Sequence, residues 1–374
     1  MTKASPAGTP AQAYDIQLLF AVLFLVGIGI VMVYSASSAL ALKKYGSDFY
    51  FLKKQAVFSL VGIICLVVCS HIPYRIYRSL TYPILFLALG LLIAVLLSAV
   101  GLEAGGSRRW IRLGPLTFQP VEAARLALII FMAYSLSKKQ DGLKQFGIGF
   151  VPHVILLMIF AVPLMLQPDF GSVVIFGALV WVMMFVAGVP VRHLLSALIL
   201  MLPLAYFLMV NATYRIKRLI SFLDPWQYPA GDGYQIIHSL MAFGTGGLWG
   251  AGIGKGYQKL FYLPEPHTDF IFAVIGEELG FWGVMGILAL YGLVLWRGMR
   301  IAFRCQDEFG MLMAFGITTA IGLQVSINTG VALGLLPTKG LTLPFLSYGG
   351  TSLLLNMACI GILMNIGAAH AKKA

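Results

Sequence analysis

The chain of 374 residues predicts an all-α, polytopic integral membrane protein of ten transmembrane helices, with one large extracytoplasmic loop between helices 7 and 8. Three observations carry this. Hydrophobic residues make up 59% and charged residues only 11%, a balance far from that of an average globular domain. Ten runs are apolar for the roughly 20 residues a helix needs to cross a bilayer. Between the seventh and eighth run lies a polar, glycine-rich island, residues 211–269.

The runs begin near Ile16, Gln55, Leu80, Val121, Pro152, Gly171, Val191, Phe270, Phe309 and Thr351. The first lacks a basic start and a small-residue cleavage site, which marks a retained helix and not a signal peptide. An even number of crossings puts both termini on one side. No fixed-period repeat and no Pro/Ser-rich linker divides the chain, so residues 1–374 read as one transmembrane domain. Short connections carrying Arg75/Arg78, Lys138/Lys139 and Arg297/Arg300/Arg304 fall on the side of the tails. The positive-inside rule then makes the tails, 1–15 and 369–374, cytoplasmic.

The formal charge of +12 would suggest nucleic acid in a soluble chain. Here topology signals and contact with anionic lipid or a phosphorylated substrate explain it, and nucleic acid is not an expected partner. Lys43, Lys44, Lys53, Lys54, Arg108, Arg109, Arg112, Arg215, Lys217, Arg218, Lys255, Lys259 and Lys339 decorate the outer face in this orientation. Such a surface suits a substrate bearing phosphates. Cys65, Cys69, Cys305 and Cys359 show no zinc spacing and sit in or beside apolar runs, as small core fillers.

Fourteen acidic residues allow each to be weighed. Glu122, Asp169, Asp269, Glu277 and Glu278 lie within or at the rim of apolar runs, where an unpaired charge costs about 2.5 to 3.5 kcal/mol on the insertion scale. Glu122 has Arg125 three residues along the same helical face, a structural pair. Asp169, in Gln167-Pro168-Asp169-Phe170-Gly171-Ser172, fits a helix cap as well as a catalytic role. Glu277 and Glu278 lie about 12 Å deeper than Asp269 at helical rise and are expected to be paired internally. Asp269 stands at a helix start, beside the titratable His267, at the end of the long loop. A general base needs reach to the proton it removes and access to solvent, and a rim position provides both. A plain helix-terminal carboxylate satisfied by the dipole is the competing explanation.

Inside the island, Ile236-Ile237-His238-Ser239-Leu240-Met241 has apolar spacing for a short helix lying in the membrane interface. Gly250-Ala251-Gly252-Ile253-Gly254-Lys255-Gly256 is no nucleotide loop, since no strand precedes it and Gly256 stands where Ser or Thr is needed. Its glycines instead let backbone amides approach a lipid-linked diphosphate or a neighbouring helix, with Lys255 and Lys259 as point charges. Gly106-Ser107-Arg108-Arg109-Trp110-Ile111-Arg112 reads as an outer loop offering guanidinium groups to a phosphate or anchoring at the interface. The Pro/Gly-punctuated stretch from Gly340 to Ser352 reads as broken backbone lining a cavity.

Several pieces together resemble the SEDS family, the shape, elongation, division and sporulation proteins that include FtsW, RodA and SpoVE. They are Tyr34-Ser35-Ala36-Ser37, Arg109-Trp110-Ile111, Phe118-Gln119-Pro120, Gln167-Pro168-Asp169, Ser221-Phe222-Leu223-Asp224-Pro225-Trp226, Tyr262-Leu263-Pro264-Glu265, His267-Thr268-Asp269-Phe270-Ile271-Phe272-Ala273 and Pro344-Phe345-Leu346-Ser347-Tyr348-Gly349-Gly350. Gly276-Glu277-Glu278-Leu279-Gly280 and the segment from Lys339 to Phe345 look more like the cell-division branch, FtsW, than RodA. The chain departs from the family pattern at Val121, Arg125, Ser172, His238 and Pro266 and keeps the Asp269 motif.

The resemblance implies a peptidoglycan glycosyltransferase that polymerises lipid II on the outer face of the bacterial cytoplasmic membrane at the division septum. Asp269 would be the general base and a polyprenyl diphosphate the leaving group. Arg109, Arg215, Arg218, Lys255 and His267 are the expected substrate contacts, and Glu122, Arg125 and Asp169 supporting polar residues. No protein metal site is expected, though a divalent cation (Mg or Mn) could assist the diphosphate. A cognate class B penicillin-binding protein transpeptidase and other divisome membrane proteins are the implied partners. The competing classes are a lipid II flippase, an elongation polymerase of the RodA kind, and a scaffold that only recruits a synthase.

Overall fold

The computed structural model describes residues 14–97, 100–104, 107–114, 116–210, 213–231, 233–260 and 263–371. The chain is a multi-pass bundle in which each of the ten apolar runs is helical. In order these are α1 (Ile16–Tyr45), α2 (Tyr50–His71), the short α3 (Arg75–Ser79) with α4 (Thr81–Ala94), α5 (Pro120–Lys138), α6 (Val151–Leu166), α7 (Phe170–Ala187), α8 (Val191–Val210), then α11 (Ile271–Arg304), α12 (Glu308–Ala332) and α13 (Gly350–Ala371). Among the described residues eight helices are long and apolar enough to cross a membrane; α4, at 14 residues, is shorter. The long loop contributes α9 (Thr213–Leu223) and α10 (Tyr234–Gly246).

Helix ends follow local chemistry. Asp15 caps α1 by accepting from the Leu18 amide, Asp307 caps α12 through Gly310, and Gly46 and Gly188 close α1 and α7 in the left-handed conformation. Asp15 also receives Arg297 on both carboxylate oxygens, tying the start of α1 to α11.

Helices α5, α12 and α13 form the buried centre of the bundle. Small residues let α13 lie close along α2. A Cβ at Gly361 would stand 2.4 Å from the Leu66 carbonyl, and one at Gly350 would meet the Phe58 ring. Gly29 of α1 likewise admits the backbone of Phe345 and Leu346.

Two elements differ from the sequence reading. The stretch expected as an outer basic loop is a small antiparallel sheet of order β1-β2-β3, with β1 Gly101–Ala104, β2 Ser107–Leu113 and β3 Leu116–Phe118. Ile111 is buried while Arg112 beside it is exposed, the alternation of a half-buried strand. Its register pairs Ile111 with both Gly101 and Phe118, and Thr351 at the start of α13 donates to the Thr117 carbonyl.

The second difference lies in the island. The Ile236–Met241 stretch is helical within α10, but Ile236, Ile237, Ser239 and Ala242 are buried in protein. Ser239 donates to the Ala332 carbonyl of α12, so the apolar face serves the bundle and not the lipid. The amphipathic helix left at the surface is α9, which exposes Lys217, Arg218, Ile220 and Leu223.

Helix α11 is broken at Gly280, whose φ of 65° and ψ of −166° interrupt the helical ladder. The residues 247–252 fill the gap. Ala251 and Gly252 donate to the Glu277 and Glu278 carbonyls, and Phe281 and Trp282 donate to the Gly247 and Leu248 carbonyls. Backbone groups freed by the break thus find partners inside the protein, as apolar surroundings require.

Candidate active site

Asp269 lies one residue before Phe270, the N-cap of α11, and lines a cavity of about 870 Å³. The cavity opens among the end of α1, the start of α2, the sheet, the starts of α5 and α7, and the segments 265–269 and 340–350. Its walls divide by chemistry. Leu40, Val57, Phe58, Ile175 and Phe176 offer an apolar side, while Lys44, Lys53, Lys54, Arg109 and Arg125 bring five cations against Glu122, Glu265 and Asp269.

The backbone around Asp269 is held from several directions. Asn328 of α12 donates from one amide nitrogen to the Asp269 carbonyl at 3.0 Å and the Leu341 carbonyl at 2.6 Å. Ser347 donates to the Thr268 carbonyl, and the Tyr348 amide to the His267 carbonyl. The broken 340–350 segment is therefore stitched onto the motif, and it lines the cavity as its Pro/Gly pattern suggests. Phe345 takes a left-handed φ of 67° in this segment, a strained conformation for a buried aromatic residue.

Burial is the main reason the Asp269 carboxyl is pushed up to about 7. The nearby Glu265 charge adds to the rise, and Arg109 and a hydrogen bond from Thr268 oppose it. The side chain keeps some surface toward the cavity while protein surrounds it elsewhere. A carboxyl group that titrates near 7 on the wall of an open cavity is suited to accept a proton at physiological pH.

Burial sets the charge of His267. Burial, reinforced by Lys44, pushes its imidazole down to about 4, so it is neutral near pH 7. It packs between the Phe51 and Tyr348 rings at centroid distances of 4.5 and 5.6 Å, and lines the cavity.

The expected supporting residues are placed as follows. Glu122 and Arg125 pair at 2.5 Å, and Arg125 extends to Gln324 Oε1 at 2.6 Å and Asn356 Oδ1 at 3.4 Å. Asp169 caps α7 through the Ser172 amide and hydroxyl, with its carboxylate 3.8 Å from Arg109 Nε. Arg109 also donates to the Pro168 carbonyl at 2.7 Å, fixing the sheet against the α6–α7 turn while facing the cavity. Arg218 and Lys255 are exposed and do not line the cavity, and the Arg215 side chain lies outside the described residues.

Lys44, Lys53 and Lys54 line the cavity, whereas Arg218 and Lys255 do not. They were legible as outer cations, but not as neighbours of Asp269, because helices α1 and α2 meet the motif only through tertiary packing. Lys54 is oriented by the Tyr50 hydroxyl at 2.7 Å. Glu277 and Glu278 are paired internally, as their depth suggested, and their partners come from the loop that re-enters beside them.

Residues 16–372 match the sequence model of the FtsW/RodA/SpoVE family, described as cell cycle protein. A protein of Geobacter metallireducens named "Probable peptidoglycan glycosyltransferase FtsW" is 46% identical over 355 residues, 95% of each chain. Stage V sporulation protein E of Bacillus subtilis is 44% identical over 358 residues, 96% of this chain and 98% of the other. Among solved structures, a chain from work described as structural coordination of polymerization and crosslinking by a peptidoglycan synthase complex aligns with a TM-score of 0.80 at 33% identity, covering 96% and 99%. The rod shape determining protein RodA of Thermus thermophilus aligns at 0.70 and 32%, covering 96% and 98%. By sequence over nearly its whole length and by fold, the chain belongs to the FtsW/RodA/SpoVE family.

Proposed function

We propose that the protein is a peptidoglycan glycosyltransferase that polymerises lipid II during cell division, with Asp269 as general base. The observation that carries this is a carboxylate raised to about 7 on the wall of a cavity with an apolar side and five cations. A lipid-linked diphosphate sugar needs those surfaces at once: hydrocarbon for its tail, positive charge for its phosphates, and a base for the acceptor hydroxyl.

In this reading Asp269 takes the proton from the acceptor sugar hydroxyl as its oxygen attacks the anomeric carbon of the donor. The bond to the polyprenyl diphosphate breaks, with inversion. One protein carboxylate suffices because the diphosphate departs once its charge is neutralised, unlike the poor leaving group of a glycosidase. Arg109, Lys53 and Lys54, which line the cavity, would supply that neutralisation, while the Arg125 charge is balanced by Glu122. His267, being neutral, shapes the wall and does not add charge.

Among the described residues no group of three or more His, Cys, Asp or Glu is arranged to hold a metal. Glu122 is taken by Arg125, and Asp269 and Glu265 are the other carboxylates that line the cavity. That donor set fits a Mg or Mn ion carried chiefly by substrate phosphates, which would add charge neutralisation there.

The reading places the protein in the bacterial cytoplasmic membrane at the septum, with both termini cytoplasmic and residues 211–269 outside. One transmembrane domain spans the chain, and a class B penicillin-binding protein supplies cross-linking. Polymerisation of purified lipid II by the protein with that partner tests the assignment, comparing Asp269→Asn with wild type in the same membranes. Loss of polymer with normal insertion is expected. Full polymer with lost lipid II flipping would instead make the protein a transporter.

A further inference from the structure

Two neighbouring carboxylates, Glu277 and Glu278, lie two turns inside α11 and are each 1% exposed. Neither is used in the reaction above, and charge at such a position is costly unless it is fully partnered. Both are fully partnered, and every partner but one comes from residues 254–259. Glu277 accepts from the Tyr257 amide at 2.7 Å and from the Gln258 amide at 3.2 Å. Glu278 accepts from Lys259 Nζ at 2.6 Å, from the Gly254 amide at 3.0 Å and from Ser35 of α1 at 2.7 Å. Lys259 also donates to Ser35 at 2.9 Å.

The fit depends on the backbone coming close. A Cβ at Gly256 would stand 2.7 Å from Glu277 Oε2, and Gly250 with φ +79° would put one 2.2 Å from the Glu278 carbonyl. The contacts continue toward the cavity, because the Leu263 amide donates to the Gln258 carbonyl and Leu263 is 2% exposed. Two residues further stands Glu265, the first cavity-lining residue of the motif. Asp269 is held by α11 and α12, whereas the wall in front of it, residues 265–268, is held at its upstream end by this buried cluster.

We propose that Lys259, with Ser35, Glu277 and Glu278, is a positioning anchor that seats residues 263–268 as the wall of the Asp269 site. The inference rests on the glycosyltransferase reading for its catalytic consequence only. A buried ion pair gives little net stability compared with an apolar replacement, so specification of one loop register is its best physical use. The wall matters chemically because it buries Asp269 and brings Glu265 near it. The other groups facing the cavity there, Arg109, Arg125, Glu122, Lys44, Lys53 and Lys54, sit on separate elements, whereas His267 belongs to the wall itself.

The test uses the full chain in membranes, in the partnered polymerisation assay, with Lys259→Met and Lys259→Arg. Lys259→Met is expected to lower kcat at least about tenfold, the scale of a small misplacement at a reacting centre, and to shift the acid limb of the pH profile to lower pH as Asp269 gains water and loses Glu265. Lys259→Arg is expected to keep both near wild type. A second readout needs no activity: Leu263→Cys, reacted from the loop side with a membrane-impermeant maleimide, should be protected alone and labelled in the Lys259→Met background. Cys65, Cys69, Cys305 and Cys359 provide the background, measured without Leu263→Cys.

Wild-type kcat and pH profile in Lys259→Met, or a Leu263→Cys that stays protected, would overturn the anchor. If Lys259→Met is not recovered from membranes, Glu278→Gln carries the same measurements. Absence of polymer from the wild type would defeat the glycosyltransferase reading and leave the labelling arm to decide the anchor by itself.

Discussion

Gly340 lies beside the Asp269 carboxylate, and a Cβ there would touch Oδ2 at van der Waals distance, 3.4 Å. The broken segment before α13 therefore sets one side of the base, and its glycine leaves room for the carboxylate to face the cavity. Gly340→Val fills that room. Polymerisation is expected to fall by roughly a hundredfold, the scale of an ångström-sized displacement at a reacting group. Thermal unfolding in detergent, measured alongside, should change little because the position borders open space.

The pH dependence of the reaction follows from the raised carboxyl. A base must be ionised, so with Asp269 near 7 the rate should rise with pH through about 7 and fall tenfold per unit well below it. Glu265→Gln removes a charge that raises this value, and is expected to move the acid limb to lower pH. Initial rates from about pH 5 to about pH 9 at saturating substrate check both the midpoint and the direction of the shift.

Lys53 and Lys54 border the cavity from the first turn of α2 and are expected to act through charge on the diphosphate. The double substitution to alanine should raise KM by about tenfold and leave kcat less changed, the signature of binding shared by ground and transition states. Raising salt should narrow the difference between variant and wild type, since part of each side chain is exposed.

Arg125 joins Glu122, Gln324 and Asn356 across α5, α12 and α13, and both charged partners are buried. Arg125→Met leaves Glu122 unpaired and is expected to destabilise the bundle by about 3 to 5 kcal/mol. A combined Glu122→Gln, Arg125→Met variant removes the orphan charge, and should recover much of the melting temperature without recovering full activity.

Gly280 has a left-handed φ of 65°, and a Cβ there would meet the Gly250 amide at 2.3 Å. Gly280→Ala should destabilise by more than about 1 kcal/mol through backbone strain and this clash. A lower melting temperature with greater proteolysis between residues 247 and 259 is the expected result. An unchanged melt would show that the re-entrant loop is not bound to the break in α11.

Much of the site was legible before the fold. The depth of Asp269 in the apolar pattern, the Glu122 and Arg125 spacing and the broken Gly340 stretch each state a local fact that the structure repeats. The sheet was missed because arginines at 108, 109 and 112 obscured the period-2 alternation around Ile111. Arg218 and Lys255 read in sequence as outer cations of the same loop as Asp269, and membership of a loop says little about where its cations point. Lys53 and Lys54 are more than two hundred residues from Asp269 in sequence and share its cavity.

The sequence by itself determined that this is a multi-pass helical protein, which segments are apolar, and which few acids stand out against hydrocarbon. Those properties are local: the cost of burying polar groups in lipid acts on each residue wherever its helix goes. Tertiary structure decided which cations surround Asp269, how far its carboxyl is raised, and that residues 247–259 dock into a break in α11 to satisfy two buried carboxylates. Charge proximity, desolvation and the meeting of orphaned backbone groups depend on distances between remote segments, and only the packed bundle sets those distances.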